Sequence, residues 1–310
     1  MSTTSSKKDI KSRLKKFIDS VLVGFLIALS YLPFWVLYGI SDFFYLVFKY
    51  VIKYRRNVIN QNIKNSFPEK TEAEREEIAT RFYHHLCDVM VETIKGYSMN
   101  TKQMDNHVKF PDVKLLNDHY DKGKGVIMVG MHYNNWEWNG ILQKYAKPRV
   151  IALYNPIRGN DALENFLLRI RTKWGAEFIP VNRSRRLMVE LSKMEHPAAL
   201  ALGADQTSLA NSKFWTIFMN QESPFFPGPE KIAAYTNYAV VFHHMKKIKR
   251  GKYEVEFVPL FENPKEVKPE EIMLTYIRKM EEIIRKEPEY YLWSHRRWKH
   301  KRPENIPLTL

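Results

Sequence analysis

The residues best suited to chemistry lie together in residues 125–140, GVIMVGMHYNNWEWNG. An apolar run from Val126 to Val129, bounded by Gly125 and Gly130, reads as a buried strand. His132 follows its exit, Asn134 or Asn135 is suited to cap a new helix, and Glu137 falls in that helix's first turn. On one continuous helix, positions five apart point about 140° away from each other. With His132 on the loop ahead of the helix, Glu137 reaches back to it. A carboxylate bonded to one imidazole nitrogen fixes the tautomer and leaves the other nitrogen to take a proton. The same letters, Asn-Asn-Trp-Glu, also fit a capping box in which Glu137 only closes the helix end. This stretch alone leaves both readings open.

The elements around it must hold these side chains in place. Residues 126–129, 149–153, 176–181 and 198–203 read as strands, and residues 136–145, 161–174 and 184–195 between them as helices. Such alternation predicts an α/β fold, a largely parallel mixed sheet flanked by helices. Ligands of such sheets bind beyond the carboxyl ends of strands. His132, Asn155 with Arg158, and Asp205 with Gln206 all follow strand ends. Farther on, residues 227–237 read as a helix, 240–245 and 253–259 as a hairpin, and 269–287 as an amphipathic helix. Upstream, Thr71 to Glu74 form a capping box. The helix behind it has Ile78, Phe82, Leu86, Met90 and Ile94 on one face, with His84 and His85 at its surface and edge and no metal expected there.

With 310 residues and 45% hydrophobic content the chain has material for a sizeable core. A net charge of +15 suits nucleic acid, an anionic membrane or an acidic protein. The single cysteine, Cys87, excludes an internal disulfide and reads as a buried thiol on a helix. Residues 1–16 are basic, 17–51 largely apolar, and 20–41 uncharged and long enough for the ~30 Å of a bilayer core. Pro33 interrupts that run, and cations flank both ends, at Lys7, Lys8 and Lys11 before it and at Lys53, Arg55 and Arg56 after it. Positive flanks mark the cytoplasmic side. Two of them favour a bent or re-entrant helical anchor in one leaflet. Residues 1–56 are therefore set apart as a basic N-terminus and membrane anchor, and 57–310 as the remaining domain.

Four motifs then act together: HYNNWE at His132 to Glu137, Asn155-Pro156 through Asn160, Asp205-Gln206, and PEYYLWSHRRWK at Pro288 to Lys299. In order, and with Arg55-Arg56-Asn57, Asn62 and Ser66-Phe67-Pro68 ahead of them, they resemble the late acyltransferases of lipid A biosynthesis, within the wider glycerolipid acyltransferase class. The resemblance implies transfer of a fatty acyl chain from an acyl carrier protein thioester to a hydroxyl of a lipid A precursor or related anionic lipid. It implies no cofactor, no metal and no nucleic-acid partner, and a place on the cytoplasmic face of a bacterial inner membrane. It places the catalytic pair at His132 and Glu137. Substrate contacts would fall to Asn155, Arg158, Arg169, Asp205, Gln206, His295, Arg296 and Arg297. The family's usual arginine after the tyrosine is here Asn155, so its charge falls to Arg158, Arg169 or Arg171. Two other readings stay in play: a glycerophospholipid or amino lipid as acceptor, and a basic membrane-tethered binder without chemistry.

Overall fold

The computed structural model describes residues 3–310, with side chains from Arg13 onward, so Lys7, Lys8 and Lys11 lie outside the described side chains. Its helices are α1 Thr3–Ser30, α2 Phe34–Leu46, α3 Arg56–Ser66, α4 Glu72–Gly96, α5 Thr101–Asp105, α6 Lys114–Asp121, α7 Asp161–Thr172, α8 Ser184–Leu191, α9 Pro229–Thr236 and α10 Pro269–Lys286. The strands are β1 Val108–Lys109, β2 Val126–Gly130, β3 Val150–Tyr154, β4 Glu177–Pro180, β5 Ala199–Gly203, β6 Trp215–Phe218, β7 Gln221–Pro224, β8 Ala239–Lys249 and β9 Lys252–Phe261. Seven strands form one sheet in the order β1-β9-β8-β2-β5-β3-β4. Every neighbouring pair is parallel except β8 with β9, so the expected mixed and mostly parallel sheet is present.

Strand alternation divides the core into two layers. Ile127 and Val129 of β2, Leu200 and Leu202 of β5, and Val240 and Phe242 of β8 face one layer, closed by α3, α4, α8, α9 and α10. Val126 and Met128, Ala199, Val241 and Met245 face the other, with Trp138, Ile141, Leu142 and Trp174. Each fully buried side chain of this kind is worth about 1.5–3 kcal/mol, which is why the central strands are apolar on both faces.

At the N-terminus the apolar run is not one helix. Pro33, with no amide hydrogen to give, sits at the N-cap of α2 and separates it from α1. The buried Lys95 ammonium of α4 takes up freed carbonyls at the bend, those of Ser30 at 3.0 Å and Leu32 at 2.9 Å. Among the described residues one helix, Phe34–Val51, is long and apolar enough to cross a membrane, and only 11% of it is buried. That helix replaces the uncharged run 20–41 as the candidate.

Three further expectations change. Residues 136–144 wind as a 3₁₀ segment, Trp136–Lys144, with no side-chain cap at Asn135. In α4 the Thr71 capping box forms as expected, but Met90 is 45% exposed. A strict four-residue spacing drifts about 40° per step around a helix, so the stripe leaves the buried face. His85 is buried, its Nδ1 3.2 Å from Lys247 Nζ, while His84 stays half-exposed beside Asp42. The β6–β7 hairpin was not legible as such: its turn uses Met219 and Asn220, both with positive φ, without the glycine that marks such turns.

Candidate active site

Where β2 ends, the chain turns sharply through residues 131–135 before the 3₁₀ segment begins. The turn is pinned from three sides. Tyr133 donates its hydroxyl to the Glu287 carbonyl at 2.9 Å and forms a β-bridge with Tyr291. Asn134, in the left-handed region at φ 54°, gives its amide to the Tyr290 carbonyl at 3.0 Å and its side-chain Nδ2 to the Met245 carbonyl at 2.8 Å. Asn135 donates to the Glu92 carboxylate at 2.8 Å. Both asparagines thus fasten the turn to distant elements instead of capping the next helix.

This arrangement swings His132 over Gly203 at the end of β5. A Cβ added to Gly203 would stand 3.1 Å from the His132 ring, tighter than ordinary contact, so glycine leaves the ring its seat. From there His132 Nδ1 meets Asp205 Oδ1 at 2.7 Å, and Nε2 faces Gln206 Nε2 at 3.2 Å. Asp205 is buried, and burial opposes its charge; the His132 ring beside it outweighs that, and the carboxyl is held below its ordinary value. For His132 burial likewise opposes the charged form, but Asp205, and more distantly Glu137, raise its pKa above 6.5. The result is an imidazole oriented at Nδ1 with Nε2 turned to the outside of the pair.

Glu137 does not reach His132 by a hydrogen bond, contrary to the sequence expectation. Its two oxygens are clamped by Arg171 of α7, Nε to Oε2 and Nη2 to Oε1, both at 2.7 Å, and Trp136 Nε1 adds a bond at 3.1 Å. The 3₁₀ segment can approach α7 this closely because a Cβ on Gly140 would lie 2.3 Å from the Arg171 carbonyl oxygen. Residues two apart on a helix point about 200° away from each other. Arg169 accordingly faces elsewhere and stacks over the Tyr97 ring at 4.9 Å. Of the three arginines that the sequence left open for this charge, Arg171 is the one at the site.

The remaining candidates separate into a scaffold and a rim. His295 Nε2 accepts from the Thr207 amide at 3.2 Å, and Thr207 Oγ1 donates to the carbonyls of Arg296 and Arg297 at 2.8 and 2.9 Å. Burial pushes the His295 pKa down to about 4, so it is a neutral acceptor that holds the Asp205–Thr207 turn. Arg297 is 1% exposed, with its guanidinium over the Phe225 ring at 4.3 Å and, among the described residues, no hydrogen-bond partner on any side-chain nitrogen. It is inside the core, away from the surface where the sequence reading put it, and Asp205 is buried with its Oδ1 on His132. Asn155, Arg158 and Arg296 are exposed. The N-terminal asparagine motif is also structural: Asn62 Nδ2 donates to the carbonyls of Trp293 and His295, and Arg55 Nη1 to that of Ser294.

Between the 3₁₀ segment and the sheet lies a small apolar cavity of about 30 Å³, lined among others by Met128, Ala152, Phe178 and Ala201. Ala201 precedes Gly203 by two residues on β5, so both face the same side of the sheet. The cavity therefore lies on the side where His132 sits.

The chain is similar along nearly its whole length to one known family. The model of bacterial lipid A biosynthesis acyltransferases matches residues 5–300. The lipid A biosynthesis palmitoleoyltransferase of Escherichia coli is 25% identical over 252 residues, 80% of each chain. The lauroyltransferase of the same organism is 22% identical over 294 residues, 92% of each. A lipid A biosynthesis acyltransferase of Haemophilus influenzae is 21% identical over 274 residues, 87% of this chain and 84% of the relative. On a family match that spans the fold and every motif of the site, this chain belongs to the bacterial lipid A biosynthesis acyltransferases.

Proposed function

We propose that this acyltransferase moves a fatty acyl chain from an acyl carrier protein thioester to a hydroxyl of a lipid A precursor, at the cytoplasmic face of a bacterial inner membrane and without a cofactor. The observation that carries the reading is the His132–Asp205 pair at the carboxyl end of the central strands, with an apolar cavity on the same side of the sheet. The acceptor hydroxyl takes the place of Gln206 at Nε2 and gives its proton to the ring, while Asp205 steadies the imidazolium that forms. The acceptor oxygen attacks the thioester carbonyl. The tetrahedral intermediate then collapses, the carbon–sulfur bond breaks, and the imidazolium returns its proton to the departing thiolate. The acceptor is itself the nucleophile, so no serine or cysteine is needed. Glu137 favours the charged ring, and Arg171, which clamps it, offsets that in part. The apolar cavity takes the buried end of the acyl chain, and Arg158 and Arg296, both exposed, offer forked donors to acceptor phosphates.

Exposed apolar side chains support a membrane-seated enzyme. Phe17, Val21 and Phe25 of α1 and Trp35, Phe43 and Leu46 of α2 all face outward, with Lys53, Arg55 and Arg56 just beyond. The opposite face of α2 is bonded to α4, as when Ser41 Oγ donates to Asp88 at 2.7 Å. This combination suits a helix lying in the interface better than one surrounded by lipid.

The test is mass spectrometry of products made by purified protein from an acyl carrier protein donor and a lipid A precursor. The wild type is expected to add one acyl chain, and His132→Ala to slow that step by about 10²–10⁴-fold with an unchanged melting curve. Transfer that persists in His132→Ala refutes the mechanism. Transfer only to a glycerophospholipid refutes the acceptor.

A further inference from the structure

One buried carboxylate joins elements that the reaction itself does not connect. Glu92 of α4 is fully buried, and its side chain takes three donors. Tyr38 of α2 gives its hydroxyl to Oε1 at 2.9 Å, while Asn135 Nδ2 from the His132 turn and the Tyr253 hydroxyl from β9 both meet Oε2 at 2.8 Å. The Glu92 main-chain carbonyl accepts from Trp138 Nε1 of the 3₁₀ segment at 3.1 Å. Asn135 stands between His132 and Glu137, so the turn's position is set partly by this one carboxylate. Around Tyr38, α2 is bolted down further. Arg250 lies over its ring at 4.3 Å and pairs with Asp42 at 2.5 Å and Asp88 at 2.6 Å. Asp42, His84 and Asp88 converge there within 4.8 Å of one another, but Arg250 already pairs with both carboxylates.

We infer that Glu92 is a positioning residue that ties the seating of helix α2 to the geometry of the His132–Glu137 turn, so that the rate of the transfer step depends on how α2 is held. The kinetic part of this inference rests on the acyl-transfer reading above. As a carboxylate, Glu92 accepts all three bonds. Once protonated it must turn one oxygen into a donor, which at Oε2 meets the Asn135 amide and the Tyr253 hydroxyl and at Oε1 the Tyr38 hydroxyl, so at least one of these donors has to reverse or turn away. The charged and titratable groups around it are Tyr38 from α2, Asp88 from its own helix, Tyr253 from β9 and Lys247 from β8. Burial raises the Glu92 pKa to about 7, Asp88 pushes the same way, and the bonds from Tyr253, Asn135 and Tyr38 oppose it. Both states of the hub are therefore within reach near neutrality.

Glu92→Gln in the full-length protein keeps the shape and removes the charge at every pH. Well above pH 7 its kcat is expected to be about tenfold below wild type, with both KM values little changed, as for a small misplacement of a catalytic group. Well below pH 7 the two rates should converge, because wild-type Glu92 is then uncharged too. Tyr38→Phe, which deletes only the α2 hydroxyl, should lower kcat in the same direction, and it decides the matter if Glu92→Gln does not fold. A readout without substrate uses 5-fluorotryptophan at position 136 in a His132→Ala background, where the imidazole cannot contribute. Its fluorine resonance should move with an inflection near pH 7, and the inflection should vanish when Glu92→Gln is added. A rate ratio constant with pH, unchanged kcat in both variants, or an inflection that survives Glu92→Gln overturns the inference. If the wild type transfers no acyl group, the proposed function fails, and the fluorine titration still decides the coupling.

Discussion

At the scale of single residues, the site hangs on which carboxylate holds the imidazole. His132 and Glu137 stand close in sequence, yet Asp205, 73 residues away, makes the bond. Its charge raises the His132 pKa, and a general base works in its unprotonated form. Activity should therefore fall on the acid side of a pKa that lies above 6.5. Asp205→Asn removes the charge that raises it, so the acid limb of kcat/KM is expected to move to lower pH while the alkaline plateau drops. A limb that stays in place would assign it to another group. The residue types were readable in sequence, and so was their place at strand ends. Their pairing was not, because the approach of Asp205 depends on Gly203 leaving space for the ring. In the same way, Arg297 was readable as a cation in a distinctive motif, but its burial against Phe225 follows from tertiary packing that no local pattern encodes.

At the scale of elements, the alternation of strands and helices was legible because buried parallel strands leave unbroken apolar runs, as in VIMVG of β2. The 3₁₀ segment was read as a helix, and its winding reflects what Gly140 and the Arg171 clamp impose on it. The short strand β1 pairs only Val108 and Lys109 with β9, too few residues for any periodicity to show. The cavity between this segment and the sheet is floored by small side chains, Ala152, Ala176 and Ala201. Each methylene buried there is worth about 0.8 kcal/mol. Ala201→Leu should therefore shift the preferred donor to shorter chains, read as kcat/KM across a donor series. An unaltered preference would move the acyl slot elsewhere.

At the scale of the whole molecule, the cations are not equivalent. At the β8–β9 tip, Arg250 is tied to Asp42 and Asp88, Lys247 lies against His85, Lys246 pairs with Glu256, and Lys252 bonds the Asn106 carbonyl. Arg183 and Arg185, at the start of α8, are exposed, and Arg186 beside them pairs only along its own helix with Glu190. The second group is therefore the expected dock for an acidic carrier. Exposed charges act mainly on encounter and are screened over about 8 Å at physiological salt. Reversing Arg185 and Arg186 to Glu should raise the donor KM with little change in kcat, and added salt should do the same to the wild type. A donor KM indifferent to both would rule this face out. The Arg250 lock has a consequence of another kind, in time. Its partner Asp42 lies 208 residues earlier, so at about 5–20 residues per second of synthesis α2 is made roughly 10–40 s before the arginine that fastens it. Through that interval α2 rests on α4, by bonds such as that from Ser41 to Asp88, and its seating is completed only once the β8–β9 hairpin brings Arg250 to Asp42 and Asp88.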